Sequence, residues 1–156
     1  MNIENGISIR RATRDDVVEI VRMLADDFLG DKRERFEDPL PESYFKAFED
    51  IDCDLNNELV VAESDGKIIG TLQLTFIPSL SFQGSKRAQI EGVRVDRDYR
   101  SKGIGRKLME WAIERAREEK CLFVQLTTNN ERANAHRFYF DLGFVSSHAG
   151  MKLKLD

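Results

Sequence analysis

The residues best placed to do chemistry in this 156-residue chain form one stretch, Arg100-Ser101-Lys102-Gly103-Ile104-Gly105-Arg106, which follows Val93-Arg94-Val95. Two glycines at the mouth of a helix let a ligand approach the backbone closely, with several amide N–H groups pointing outward. Those amides and the positive end of the helix dipole make an anion site, to which Arg100, Lys102 and Arg106 add full charges. A pyrophosphate fits it. The Walker phosphate loop is excluded, because no Lys-Ser or Lys-Thr follows the second glycine. The dinucleotide fingerprint fails too, since Leu108 stands where its third glycine belongs and no second βαβ half follows. Between Arg94 and Lys107 six basic residues stand against two acidic ones, a local +4 that leaves −8 for the remainder of a chain whose net charge is −4. A concentrated positive patch on an acidic protein suits a compact anion, and nucleic acid is not expected as a partner. A solvated loop and helix face would produce the same charge pattern.

Glu91 is the only carboxylate between Arg87 and Val95. Strand alternation puts it on one face with Val93 and Val95, and a bulge near Gly92 would reverse that facing. The phenol of Tyr139, with an ordinary pKa of ~10, is protonated at neutral pH and can supply a proton. Tyr139 also lies on the apolar stripe of its helix, so a core tyrosine is the competing reading. His148 reads as an exposed turn residue and His136 as a helix-surface one. Cys121 begins a buried strand with no histidine at a recognisable spacing, which favours a packed thiol over a nucleophile. Two histidines, with Cys53 and Cys121 lying 68 positions apart, give neither a metal site nor a disulfide framework.

These residues need elements to hold them. Ile7 to Arg11 alternates as a half-buried strand does, and a helix begins at Thr13 with Asp15 and Asp16 in its first turn. Val17, Ile20, Val21, Leu24 and Phe28 form one buried stripe on it. Pro41 suits the start of a second helix, buried through Tyr44, Phe48, Ile51 and Leu55, which also carries Glu42, Glu49, Asp50, Asp52 and Asp54. Leu59–Ser64 and Lys67–Ile77 are strands joined by the hairpin signal Asp65-Gly66. A strand from Arg87 to Val95 follows a polar loop, then an amphipathic helix from Ile104 to Glu119 and a short strand, Cys121–Thr127. Ala135, Phe138, Tyr139 and Leu142 mark one face of a helix from Glu131 to Leu142, which Gly143 stops. Phe144–Ser147 and Met151–Leu155 complete the expected order β-α-α-β-β-β-α-β-α-β-β as two final strands. The fold class is α/β (α+β), expected as a single domain over residues 1–156.

Composition agrees. With 41% apolar and 33% charged residues the chain reads as soluble and globular. No apolar run exceeds four residues (Leu59–Ala62, Cys121–Val124), which excludes a helical membrane span. The opening Met1-Asn2-Ile3-Glu4-Asn5-Gly6 argues against a secretory signal, so a reduced, cytoplasmic protein is expected.

Arg-x-x-Gly-x-Gly after a Val-x-Val strand resembles the coenzyme A pyrophosphate loop of the GNAT superfamily of N-acetyltransferases. Asn134-Ala135-His136-Arg137-Phe138-Tyr139-Phe140-Asp141-Leu142-Gly143-Phe144 resembles the same family's C-terminal signature. The resemblance is specific from Ile90 to Phe144, and residues before Lys86 match only in element order. It implies a mixed, mostly antiparallel sheet flanked by helices, with central strands that splay to admit a thioester. It also implies acetyl-CoA as co-substrate and a small-molecule amine as acceptor, with no metal called for by the two histidines and two scattered cysteines. Dimerisation, common in the family, would be an expectation of the same kind.

By position, Val93, Arg94 and Val95 would meet the pantetheine arm, and the Arg100, Ser101, Lys102, Gly103, Ile104, Gly105, Arg106 run would cradle the pyrophosphate. Asn134 matches the asparagine that often bonds the pantetheine, against a plain helix-surface amide. Tyr139 matches the tyrosine that protonates the departing thiolate. Glu91 is the candidate general base, against a substrate-orienting or structural carboxylate. Gln89 stands where some members place their base, and a glutamine cannot do that work. A CoA-binding sensor without turnover and a protein-acetylating enzyme are the rival functions.

Overall fold

The computed structural model describes residues 6–156. Residues 1–5, which carry most of the stretch read against a secretory signal, lie outside the described part. Five strands, β1 (Ile7–Arg11), β2 (Asn57–Ser64), β3 (Lys67–Pro78), β4 (Lys86–Val95) and β5 (Phe123–Leu126), form one sheet in sequence order. The first four are antiparallel neighbours. Between β4 and β5 the numbering rises in step, from the Leu122 N–H donated to the Lys86 carbonyl (2.8 Å) to Gln125 bonded to Gln89, so that pair runs parallel. The helices are α1 (Val17–Ala25), α2 (Gly30–Arg33), α3 (Glu42–Cys53), the single turn α4 (Ser81–Gly84), α5 (Ile104–Glu118) and α6 (Ala133–Asp141). Among the described residues no helix is long and apolar enough to cross a membrane.

The chain divides into two compact units after Gln125. In the first, α1 and α3 cover one sheet face, where Val17, Ile20, Val21, Met23 and Phe48 bury against Val61. The other face is covered by α5 through Ile104, Leu108, Met109, Ala112 and Ala116, opposite Leu72, Leu74 and Ile90. Gly70 sets how closely α5 sits, because a Cβ there would meet Leu108 Cδ1 at 3.0 Å and Ile104 Cγ2 at 3.3 Å. At the edge of this face a charged chain joins four elements. Arg115 reaches both Glu58 oxygens (2.6 and 3.1 Å) and Glu119 (3.2 Å), Glu119 takes Lys86 (3.0 Å), and Glu58 also takes Arg11 (3.5 Å).

Both early helices are shorter than their apolar periodicity suggests. α1 stops at Ala25, because the Asp27 carboxylate captures the amides of Leu29 (3.0 Å) and Gly30 (2.5 Å) and starts a new turn. Phe28 therefore leaves the stripe and is 57% exposed. α3 ends at Cys53, where Asp54 accepts from the Asn56 amide and the Asn57 side chain, so Leu55 stands in solvent.

The second unit starts at Leu126, the last residue of β5, and holds α6; residues 142–156 have no strand. The two final strands expected at Phe144–Ser147 and Met151–Leu155 are absent, and Val145, Met151, Leu153 and Leu155 are exposed. An alternating pattern supplies one side of a ladder only; with no partner strand paired to it, the tail carries none.

Candidate active site

β4 is regular from Lys86 to Glu91 and then changes phase. Gln73 pairs with Glu91 and Thr71 with Arg94, so one position on β3, Leu72, faces two on β4, Gly92 and Val93. Gly92 absorbs the extra residue at φ +63°, a left-handed conformation that costs glycine little. The bulge puts Glu91 and Arg94 on the α1 face and Val95, opposite Gly70, on the α5 face. The expectation that Glu91 shares a face with Val95 is thereby corrected. Glu91 is exposed, with no ion pair or side-chain hydrogen bond among the described residues. Arg94 turns to the end of α1, its Nε 3.7 Å from Asp27.

Past β4 the chain makes a 3-10 turn (Arg97–Tyr99) and enters α5 through Gly103 at φ +83°. Among the described residues no side chain caps this helix, and the amides of its first turn lack intrahelical partners. No atom of the described residues lies within 4 Å of where a Gly103 Cβ would stand. Open amides, a helix dipole and free space are what a pyrophosphate requires, and these residues fit it.

The cations of the loop are partly committed to the protein. Arg100 donates to the Val95 carbonyl (3.2 Å) and the Asp26 carbonyl (3.1 Å), Lys102 donates to the Asp98 carbonyl (2.9 Å), and Arg106 pairs with Glu110 (3.7 Å). Sequence reasoning missed the residues that anchor this loop. Asp96, nearly buried, accepts from the Asp98 amide (3.0 Å) and from Arg22 of α1 (2.5 Å). Burial alone would raise its carboxyl, but the Arg22 and Asp98 hydrogen bonds outweigh that and hold it below the ordinary carboxylate value. Asp26, at the end of α1, binds Arg97 through both oxygens. The Asp-x-Asp after a strand was the available signal for Asp96; nothing local in sequence marks Arg22 or Asp26. A cleft of about 610 Å³ beside this turn is lined by the same paired groups, Arg22, Asp26, Asp96 and Arg97 among them, and lies apart from Glu91's sheet position.

Asn134 and Tyr139 belong to the second unit. Asn134 is exposed in the first turn of α6. Tyr139 is half-buried, its ring edge-on to Phe138 (5.2 Å between centroids) and Phe144 (5.9 Å). His148 is exposed beside Ser147, and His136 approaches the Asn129 carbonyl (3.2 Å). Burial pushes the Cys121 thiol up, which suits a packed thiol.

Residues 21–144 match the Acetyltransferase (GNAT) family. An uncharacterized N-acetyltransferase from Archaeoglobus fulgidus is 31% identical over 85% of this chain and 89% of its own length. An aminoalkylphosphonate N-acetyltransferase from Salmonella typhimurium is 32% identical over 61% of this chain, and the matched region spans 61% of that protein. A crystal structure of a transcriptional regulator from Bacillus halodurans C-125 superposes with a TM-score of 0.93 at 54% identity, covering 96% of this chain and 99% of that one.

Proposed function

The chain belongs to the GNAT acetyltransferase family, and from that premise we propose that it moves an acetyl group from acetyl-CoA to a primary amine of a small molecule by direct attack. The observation that carries this reading is the uncapped start of α5 behind Gly103, set one short turn beyond the bulged end of β4. The amides of Gly103 to Arg106 hold the pyrophosphate, with the loop cations adding long-range attraction. Backbone groups of Val93–Val95 bind the pantetheine arm as an added strand does and polarise the thioester carbonyl. Asn134 adds a hydrogen bond to that arm.

Glu91, directly or through a water, takes the proton from the attacking ammonium, since an alkyl amine near pKa ~10 is almost wholly protonated at pH 7. The nitrogen–carbon bond forms, the carbon–sulfur bond breaks, and Tyr139 gives its proton to the thiolate. We place all of this in one domain, residues 1–156, working in the cytoplasm. The Salmonella relative, by name an aminoalkylphosphonate N-acetyltransferase, supports the acceptor class.

A second reading, a CoA-binding regulatory module without turnover, draws support from the 54% identical transcriptional regulator. Thiol release from acetyl-CoA across a panel of amines decides between them. Amine-dependent release is expected; tight CoA binding with no release for any amine would favour the regulator.

A further inference from the structure

We propose that the acceptor amine carries an anionic group, a phosphate or a carboxylate, several bonds from its nitrogen, and that Arg87 binds it while Gln73 and Gln89 hold the polar atoms between. This deepens the acetyl-transfer reading and rests on it for where the amine sits.

Arg87, Gln89 and Glu91 follow one another on the α1 face of β4, because the register from Lys86 to Glu91 is unbroken and Ala88 and Ile90 are buried on the other face. Every other arginine from Arg10 to Arg117 lies in a carboxylate ion pair. Arg87 is in none among the described residues, and its Nε is buried without a hydrogen-bond acceptor. In a chain with 28 carboxylate side chains, leaving a half-buried guanidinium unmatched is costly unless a ligand completes it. On β5, the strand beside β4, Phe123 packs edge-on against Phe82 (4.9 Å).

Between the two charges the face is lined by neutral amides whose orientation can be traced. The Asp54 carboxylate can only accept, so Asn57 must offer it Nδ2 (2.6 Å), which turns Asn57 Oδ1 toward β3. That oxygen accepts from Gln73 Nε2 (3.0 Å) and the Thr75 hydroxyl (2.7 Å). Gln73, directly opposite Glu91, is left presenting its own carbonyl oxygen. Gln89 accepts from Gln125 (2.6 Å) and keeps its NH₂ group. A ligand along β4 therefore meets a carboxylate, an amide acceptor and an amide donor, and then a guanidinium.

The Cα atoms of Arg87 and Glu91 are about 13–14 Å apart at ~3.4 Å per residue. With both side chains standing roughly perpendicular to the sheet, hydrogen bonds of ~3 Å at either end leave roughly 7 Å between nitrogen and anion. A one-carbon spacer is too short, whereas a phosphorylated amino sugar or a dipeptide spans it.

The test compares thiol release for two matched pairs, glucosamine 6-phosphate against glucosamine and glycylglycine against glycylglycinamide. The pair that responds identifies phosphate or carboxylate. One anionic member should be preferred by about tenfold or more in kcat/KM. In Arg87→Gln that preference should collapse toward unity through the KM of the anionic member, and Arg87→Lys should retain part of it. Circular dichroism checks that each variant folds. No preference in either pair, or a preference that survives Arg87→Gln, overturns the proposal. If no amine supports release, the transfer reading falls separately. Calorimetric titration of the two anionic probes into CoA-saturated protein then decides: binding that needs Arg87 sustains the site, and no binding of either probe ends it.

Discussion

At the scale of single residues, Tyr139 and Glu91 stand at the two ends of the proposed proton path, and each can be tested by deleting one function. Tyr139→Phe removes only the hydroxyl and keeps the edge-on contacts with Phe138 and Phe144. As general acid, Tyr139 predicts a fall in turnover of about 10²-fold with acetyl-CoA affinity nearly unchanged. A lower urea midpoint with intact turnover would return Tyr139 to a packing role. Glu91→Gln keeps the shape of an exposed side chain that has no hydrogen bond or ion pair among the described residues. If Glu91 is the base, the acidic limb of the kcat/KM profile should flatten or shift, because that limb reports a group that must lose a proton. Activity should partly recover at high pH, where more of the amine is already neutral. A limb identical to the parent's assigns the proton to water.

Among elements, the start of α5 carries the sharpest expectation. Asparagine tolerates a left-handed backbone better than most residues and matches aspartate in shape, so Gly103→Asn and Gly103→Asp at φ +83° differ mainly in charge. Gly103→Asp should weaken CoA by about tenfold or more relative to Gly103→Asn, roughly 1.4 kcal/mol, and the gap should narrow with added salt. Equal affinities would move the pyrophosphate elsewhere.

This loop was legible because its glycines, their spacing and the following amphipathic pattern are all local. The facing of Glu91 was not, since a bulge is a property of register against β3 and Gly92 alone only permits it. Phe28 and Leu55 keep helical spacing beyond the true ends of α1 and α3, where Asp27 and Asp54 divert the backbone amides. The tail from Phe144 to Leu155 has the alternation of strands without a partner. Arg22, Asp26 and Asp96 anchor the loop through contacts between distant positions, which no periodicity records.

At the scale of the molecule, two nearly buried carboxylates tie α1 to the sheet. Asp16 accepts from Arg10 of β1 (2.7 and 3.0 Å) and Asp96 from Arg22. Burial opposes ionisation of both, and the hydrogen bonds they receive more than offset it, so both carboxyls are held below their ordinary value. A depressed folded pKa contributes stability above the unfolded value and loses it as pH falls through the folded one. Urea midpoints should therefore hold near neutrality and drop below about pH 4. Asp96→Asn should cost about 2 kcal/mol at pH 7 and make that acid dependence shallower. An unchanged slope would locate the sensitivity elsewhere.

The charged chain from Arg11 through Glu58, Arg115 and Glu119 to Lys86 has a consequence for heat. Stripping water from ions becomes less costly as temperature rises, while apolar burial gains little more per unit area. Arg115→Met combined with Glu58→Leu removes a mostly buried pair without stranding either charge, a change that is often neutral near room temperature. The doubly substituted protein should match the parent at 25 °C, fall away from it on warming and melt first, a difference that calorimetry reads directly. Parallel stability curves would mean that the five charges settle where the helix lies and leave the upper working temperature to the apolar layers.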